Sequence, residues 1–202
     1  MKYHRPIRCF LLGFCVCLNI NNIYGQADEG LLHPQTASSG GCRSLTTGLP
    51  SLFGNPSGLS TTSPLVFLIS CQSRFGIPEL ASSSAAVGFS VHQVQLGAMY
   101  TRYGFEGFSE QAGGLNAALA LTENLDAGIQ MRYYASRHRE MYNSSQRVGF
   151  TLGLSYALSE SLQLGILLDN PLVSGENRQT PIPLKAAMGA SLELGADGKA
   201  YL

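Results

Sequence analysis

The side chains that could do covalent or metal chemistry are few and scattered. Beyond the N-terminal apolar run, cysteine stands only at Cys42 and Cys71, and histidine at His33, His92 and His138. None of these has the close spacing of metal ligands. A nucleophile needs a base within hydrogen-bond reach. The chain has no Gly-x-Ser-x-Gly turn, and the best available pair is His138 with Ser144, inside one polar stretch. The glycines of "GGLNAALA" (Gly113 to Ala120) sit in strand alternation and not ahead of a helix, so they do not read as a phosphate cradle. The expectation is a protein that is not an enzyme, with no cofactor and no metal. Cys42 and Cys71 could make one disulfide in an oxidising compartment, or stand as two unrelated small buried residues.

One short motif is chemically quiet but conformationally loaded. In "NPSGL" (Asn55 to Leu59), Pro56 fixes its own φ and biases Asn55 to an extended shape. The Asn55 amide can bond nearby backbone, and Gly58 permits close backbone approach. The product is a rigid kink, which by itself is also what an ordinary loop uses.

The elements around that kink begin with an export signal, residues 1–25. Lys2, Arg5 and Arg8 precede the apolar run "CFLLGFCVCL" (Cys9 to Leu18), which is too short to span a bilayer as a helix of about 20 residues. "IYGQ" offers Gly25 before a cut. Residues before Cys15 and Cys17 are Phe14 and Val16, where a lipidation signal wants a small residue. Basic and acidic residues balance at 13 each, and without the three in the signal ten basic remain against 13 acidic. That excludes the clustered basic face of a nucleic-acid binder. Charged residues make up 13% of the chain, about half the usual share, so a water-facing surface is hard to clothe.

From residue 64 to 202 one design recurs. In "QRVGFTLGLSYAL" (Gln146 to Leu158), Val148, Phe150, Leu152, Leu154, Tyr156 and Leu158 share one face, with Gly149, Thr151, Gly153, Ser155 and Ala157 on the other. Period two means a strand. "LQLGILLD", "LDAGIQMRYY" and "LKAAMGASLEL" repeat it, placing Asp126, Arg132, Gln163, Asp169, Lys185 and Glu193 on the small, polar side. Strands of about ten residues are expected. Short turns are expected at His92-Gln93, Thr122 to Asn124, Ser159 to Ser161 and Ala196 to Gly198. Longer loops are expected at Gln72 to Ser83, Gly104 to Glu110, Ser136 to Ser145 and Asn170 to Pro183.

This is the rhythm of an antiparallel up-and-down transmembrane β-barrel, an all-β meander. Tyr100, Tyr103, Phe105 and Phe108, then Tyr133, Tyr134 and Tyr142, would form an interfacial girdle. A second face of Gly, Ala, Ser and Thr suits a lumen better than the water-facing side of a soluble sandwich. An exported soluble β-protein is the remaining reading of the same pattern.

With the kink placed just before the first strand, "NPSGL" resembles the Asn-Pro-Ala-Gly-Leu signature of the FadL-like outer-membrane barrels, including the PorV- and PorQ-like relatives of Bacteroidetes type. "SGGCRSLTTGLPSLFGNPSGLS", "PELASSSAAVGFS" and "LGILLDNPLV" extend the similarity. The resemblance implies that residues 26–63 form a periplasmic, hatch-like segment with Asn55, Pro56, Ser57, Gly58 and Leu59 as its motif. It implies an outer-membrane protein that handles hydrophobic small molecules, or secreted clients of the type IX secretion system. Ser57 stands where the family has Ala. Eight strands and a stub are expected before Leu202, where the family closes with about fourteen, so the resemblance covers an N-terminal portion. A small structural or adhesive barrel closed at eight strands is the alternative. The polar stretches around Arg137-His138-Arg139-Glu140 and Glu176-Asn177-Arg178 are the candidate contact loops, or plain solvated ones.

Overall fold

The computed structural model describes residues 42–61, 64–73, 76–138, 143–171, 184–193 and 199–201. The expected signal and the stretch from 26 to 41 lie outside them, as do Arg139, Glu140 and Glu176 to Arg178.

The alternating segments become nine antiparallel strands in one sheet, each paired with its neighbour in sequence. They are β1 (Leu65–Ser73), β2 (Ala81–Val91), β3 (Val94–Gly104), β4 (Phe108–Ala120), β5 (Leu125–His138), β6 (Asn143–Ala157), β7 (Leu162–Asp169), β8 (Lys185–Glu193) and β9 (Lys199–Tyr201). Eight full strands and a three-residue ninth match the expected count. The sheet is not closed, since β1 pairs only with β2 and β9 only with β8. A β-barrel-like meander is therefore present, and among the described residues it is open, as expected of a barrel incomplete at its C-terminus and unlike the alternative closed at eight strands.

Register carries one face across every strand, because a side chain's direction alternates with each residue. One row holds Leu65, Phe89, Leu96, Ala117, Ile129, Leu152, Leu168 and Ala186. The adjacent row, facing the other way, holds Val66, Gly88, Gly97, Asn116, Gln130, Thr151, Asp169 and Lys185. The first face is bare: Phe67 is 69% exposed, Ile69 88%, Leu115 68% and Met188 69%. The second is covered by residues 42–61, which run through three short 3₁₀ turns, Arg43–Leu45, Leu49–Phe53 and Pro56–Thr61.

The core lies between that segment and the sheet. Leu49, Leu52, Phe53 and Leu59 pack with Ala86, Met99 and Ala118, flanked by Val66 and Leu68 of β1. The cluster of Leu49, Leu52, Phe53 and Leu59 thus sits over β1 to β4, while Pro56 lies over β5 and β6 and Leu45 over β7 and β8.

Several connections are tighter than the sequence suggests. The expected loop Gly104 to Glu110 is a three-residue turn, closed by Phe105 N–H to Phe108 O at 2.7 Å and the return bond at 3.2 Å. Gly104 has φ 103°, and a Cβ there would meet the Phe108 carbonyl. The expected loop Ser136 to Ser145 is strand up to His138 and again from Asn143. The loop expected at Gln72 to Ser83 begins after Ser73 and ends at Ala81, with a 3₁₀ turn at Pro78–Leu80 inside it. In each case polar residues suggested a loop, whereas the backbone ladder continues past the end of the apolar pattern. β5 and β6 consequently reach 14 and 15 residues, not about ten. The turns at His92-Gln93, Thr122 to Asn124 and Ser159 to Ser161 fall where expected, with His92 at φ 58°. Ala196 to Gly198 lie outside the described residues.

Candidate functional site

The motif Asn55-Pro56-Ser57-Gly58-Leu59 is buried throughout, with Asn55, Ser57 and Leu59 at 0% exposure. A buried amide must find partners at both ends. Asn55 Nδ2 donates to Ser44 O at 2.6 Å, to Leu154 O at 3.2 Å and to Ser155 Oγ at 3.3 Å. Its Oδ1 accepts from the Ser57 N–H at 3.1 Å and the Ser57 hydroxyl at 2.8 Å. Ser57 and Ser155 hydroxyls are 2.6 Å apart. Because Ser57 gives its proton to Asn55, Ser155 is the donor of that pair. The three side chains close a ring: Asn55 to Ser155, Ser155 to Ser57, Ser57 to Asn55.

Backbone and neighbouring side chains hold the kink in shape. Pro56 opens the last 3₁₀ turn, where its missing N–H costs nothing. The Gly58 N–H donates to Asn55 O at 3.1 Å, and Gly58 O accepts from Gly48 at 3.1 Å. A Cβ on Gly58 would collide with Thr46 O and lie 2.9 Å from Ser51 Cβ. Thr46 Oγ1 accepts the Asn55 N–H at 2.9 Å and donates to Arg43 O at 3.0 Å.

The sheet contributes a second set of bonds that the motif alone does not reveal. Gln130 Nε2 donates to Leu52 O at 2.7 Å, and Arg132 Nη2 to the same oxygen at 3.1 Å. Arg132 Nε also donates to Gln130 Oε1, at 2.5 Å. Asn116 donates to Pro56 O at 3.3 Å. Arg43 and Asp169 form an ion pair at 2.9 Å, and Thr151 donates to the other Asp169 oxygen at 2.7 Å. Their sequence signal is faint. It is the presence of Asn, Gln, Arg, Thr and Asp on a strand face where Gly, Ala and Ser are common.

Glycines on the inner face make the approach possible. A Cβ at Gly97 would sit 2.7 Å from Leu52 Cδ2 and 2.9 Å from Leu59 Cδ2. At Gly128 it would overlap the Pro56–Ser57 peptide, at Gly153 the Asn55 amide oxygen, and at Gly165 the Ser44 carbonyl.

The remaining candidates do not converge on this arrangement. Cys42 lies inward, its Sγ 3.0 Å from where a Gly189 Cβ would be, and Cys71 is exposed on the outer face of β1. The disulfide considered for them is not formed. Arg137 and Ser144 are exposed and face each other across β5 and β6; the His138 side chain lies outside the described residues. Of the aromatics, Tyr100 and Tyr133 face outward, while Tyr103 and Tyr134 fall on the inner parity. Tyr103 meets Phe108 edge to face at 6.3 Å, and Tyr142 is not among the described residues. Among the described residues no group of three or more His, Cys, Asp or Glu could hold a metal. Chemically, the arrangement seats a chain segment in a concave sheet and blocks the space it occupies. The chain matches no family model, and no curated protein or solved structure is significantly similar to it.

Proposed function

We propose that this chain is an outer-membrane β-barrel protein of the FadL/PorV-like type. In this reading its N-terminal segment plugs the barrel interior, and the protein handles a hydrophobic ligand or a secreted client at the membrane. The observation that carries the reading is the outward face. On β6 and just past it, Val148, Phe150, Leu152, Leu154, Tyr156 and Leu158 point out in unbroken succession. At a rise of about 3.4 Å per residue and a tilt near 45°, they cover about 25 Å of height, the apolar thickness of an outer-membrane wall. Polar and charged strand residues lie inside or beyond this band. A soluble protein exposing Phe67, Ile69, Leu115 and Met188 at once would aggregate. The same reading requires the edges at β1 and β9 to be paired when in lipid, since a bare ladder is costly there.

The eight-strand structural reading draws on the same filled interior, because side chains and the N-terminal segment leave the inner face covered. Two measurements on cells expressing the chain separate the readings. Alkali-resistant recovery in the outer-membrane fraction is expected, and its absence defeats both membrane readings. Uptake of a labelled long-chain fatty acid, or cross-linking to a secreted protein, is expected for the plugged transporter or shuttle. Neither should occur for a purely structural barrel.

A further inference from the structure

Just past the apolar band, the outer wall changes character over two rows. The first row holds Arg102, Gln111, Ala135 and Gln146, and the second holds Ser109, Arg137 and Ser144. A hollow of about 290 Å³ opens here, its walls in near-equal parts polar and apolar and its lining including Ser109, Gln111, Ala135, Arg137, Ser144 and Gln146. Arg102 and Arg137 are exposed and sit two strands apart, about 10 Å along the sheet. Among the described residues no carboxylate shares the two rows; Glu79 and Glu106 belong to the connections, and Glu110 points to the inner face. Tyr100 and Tyr133 form the outward row immediately below, and the Tyr100 hydroxyl donates to Gln111 Oε1 at 3.1 Å.

We propose that these rows bind the phosphate of an anionic lipid headgroup on the outer wall between β3 and β6. The inference rests on the membrane reading above. Depth and charge both support it. One residue step above the last apolar row is where headgroup phosphates lie, and tyrosines mark that boundary. Guanidinium groups give phosphate paired, charge-assisted hydrogen bonds. The Gln111 amide and Ser109 hydroxyl on β4, between the two arginines, and the Gln146 amide and Ser144 hydroxyl on β6, beside Arg137, add neutral donors. A soluble anion would need no such alignment with the edge of the apolar band.

The test uses the absence of tryptophan from the chain. The full chain carrying Tyr133→Trp is reconstituted in vesicles, where phosphatidylglycerol or phosphatidylcholine bears bromines on acyl carbons near the headgroup. Bromine quenches the indole on contact. Phosphatidylglycerol is expected to bind beside the indole about fivefold more tightly than phosphatidylcholine. The preference should vanish in Arg102→Gln/Arg137→Gln and largely survive in Arg102→Lys/Arg137→Lys. Equal quenching by both lipids overturns the headgroup site while leaving the membrane reading intact. A preference that survives the glutamine variant overturns the assignment to these arginines. Abolition by millimolar inorganic phosphate makes the surface a free-anion site and overturns the lipid. Absence of quenching by both lipids removes the membrane reading itself.

Discussion

Asn55 uses both ends of one amide to join segments about 100 positions apart in sequence, with Ser155 at a separation of 100 and Leu154 at 99. Removing a buried partner leaves the other groups unsatisfied, which costs more than the bond itself contributes. Asn55→Ala is therefore expected to lose about 3 kcal/mol of unfolding free energy, read by urea titration in detergent. Asn55→Asp should be worse, since a carboxylate oxygen would face the Ser44 and Leu154 carbonyls. Ser57→Ala breaks the ring but spares the Asn55 donors, so about 1 kcal/mol is expected. If Asn55→Ala stays within about 0.5 kcal/mol of the parent, the ring is not what holds the segment. The Arg43–Asp169 pair, at 2.9 Å and mostly buried, should show a coupling of about 1–2 kcal/mol in a double-mutant cycle. A coupling near zero would mean that solvent screens it as at any exposed pair.

At the scale of elements, the fit between the N-terminal segment and the sheet depends on missing side chains. Gly153→Ala puts a methyl where the Asn55 amide lies, beside Pro56 Cδ at 2.8 Å. Overpacking of this kind costs about 1–3 kcal/mol, and the segment is the element able to move. Trypsin cleavage after Arg43 should accelerate in this variant. Gly113→Ala is the control, because a Cβ there meets only Met99 O at an ordinary 3.9 Å. It should leave the cleavage rate unchanged, and equal acceleration in both variants would show that the inner glycines play no special part. Strand ends belong to the same scale. Ser109, Glu110 and Gln111 are polar, yet each pairs across β4 and β5 with Arg137, Ser136 and Ala135. The apolar pattern stops at the edge of the band, while the hydrogen-bonded ladder does not.

For the whole molecule, the proposed membrane reading turns on which face would meet lipid. Leu115 and Ile129 point outward from the middle of the sheet at 68% and 50% exposure. Leu115→Arg should impair membrane integration by about 2–4 kcal/mol, seen as loss of the alkali-resistant fraction. In a water-soluble sandwich the same change would be neutral or would improve solubility. The proposed barrel would then have to give way to the exported soluble protein. Thr101→Arg, on the inner face, is the counterpart for the lumen. It tests crowding there and should not alter membrane partition.

The sequence by itself determined the strands, their faces and three of their turns. Those features rest on local rules: alternation sets the direction of each side chain, and His92-Gln93, Thr122 to Asn124 and Ser159 to Ser161 interrupt it. It also singled out Asn55 to Leu59 as a kink, from the rigidity of Pro56 and the permissiveness of Gly58. Only the tertiary structure decided what the kink is for within the fold. The partners of Leu52, Asn55 and Pro56 are Gln130, Arg132, Ser155 and Asn116, which register across two strand pairs, β4 with β5 and β5 with β6, brings to one surface. No local pattern encodes such a meeting, because a shift of one residue in any pairing would turn the whole inner row outward.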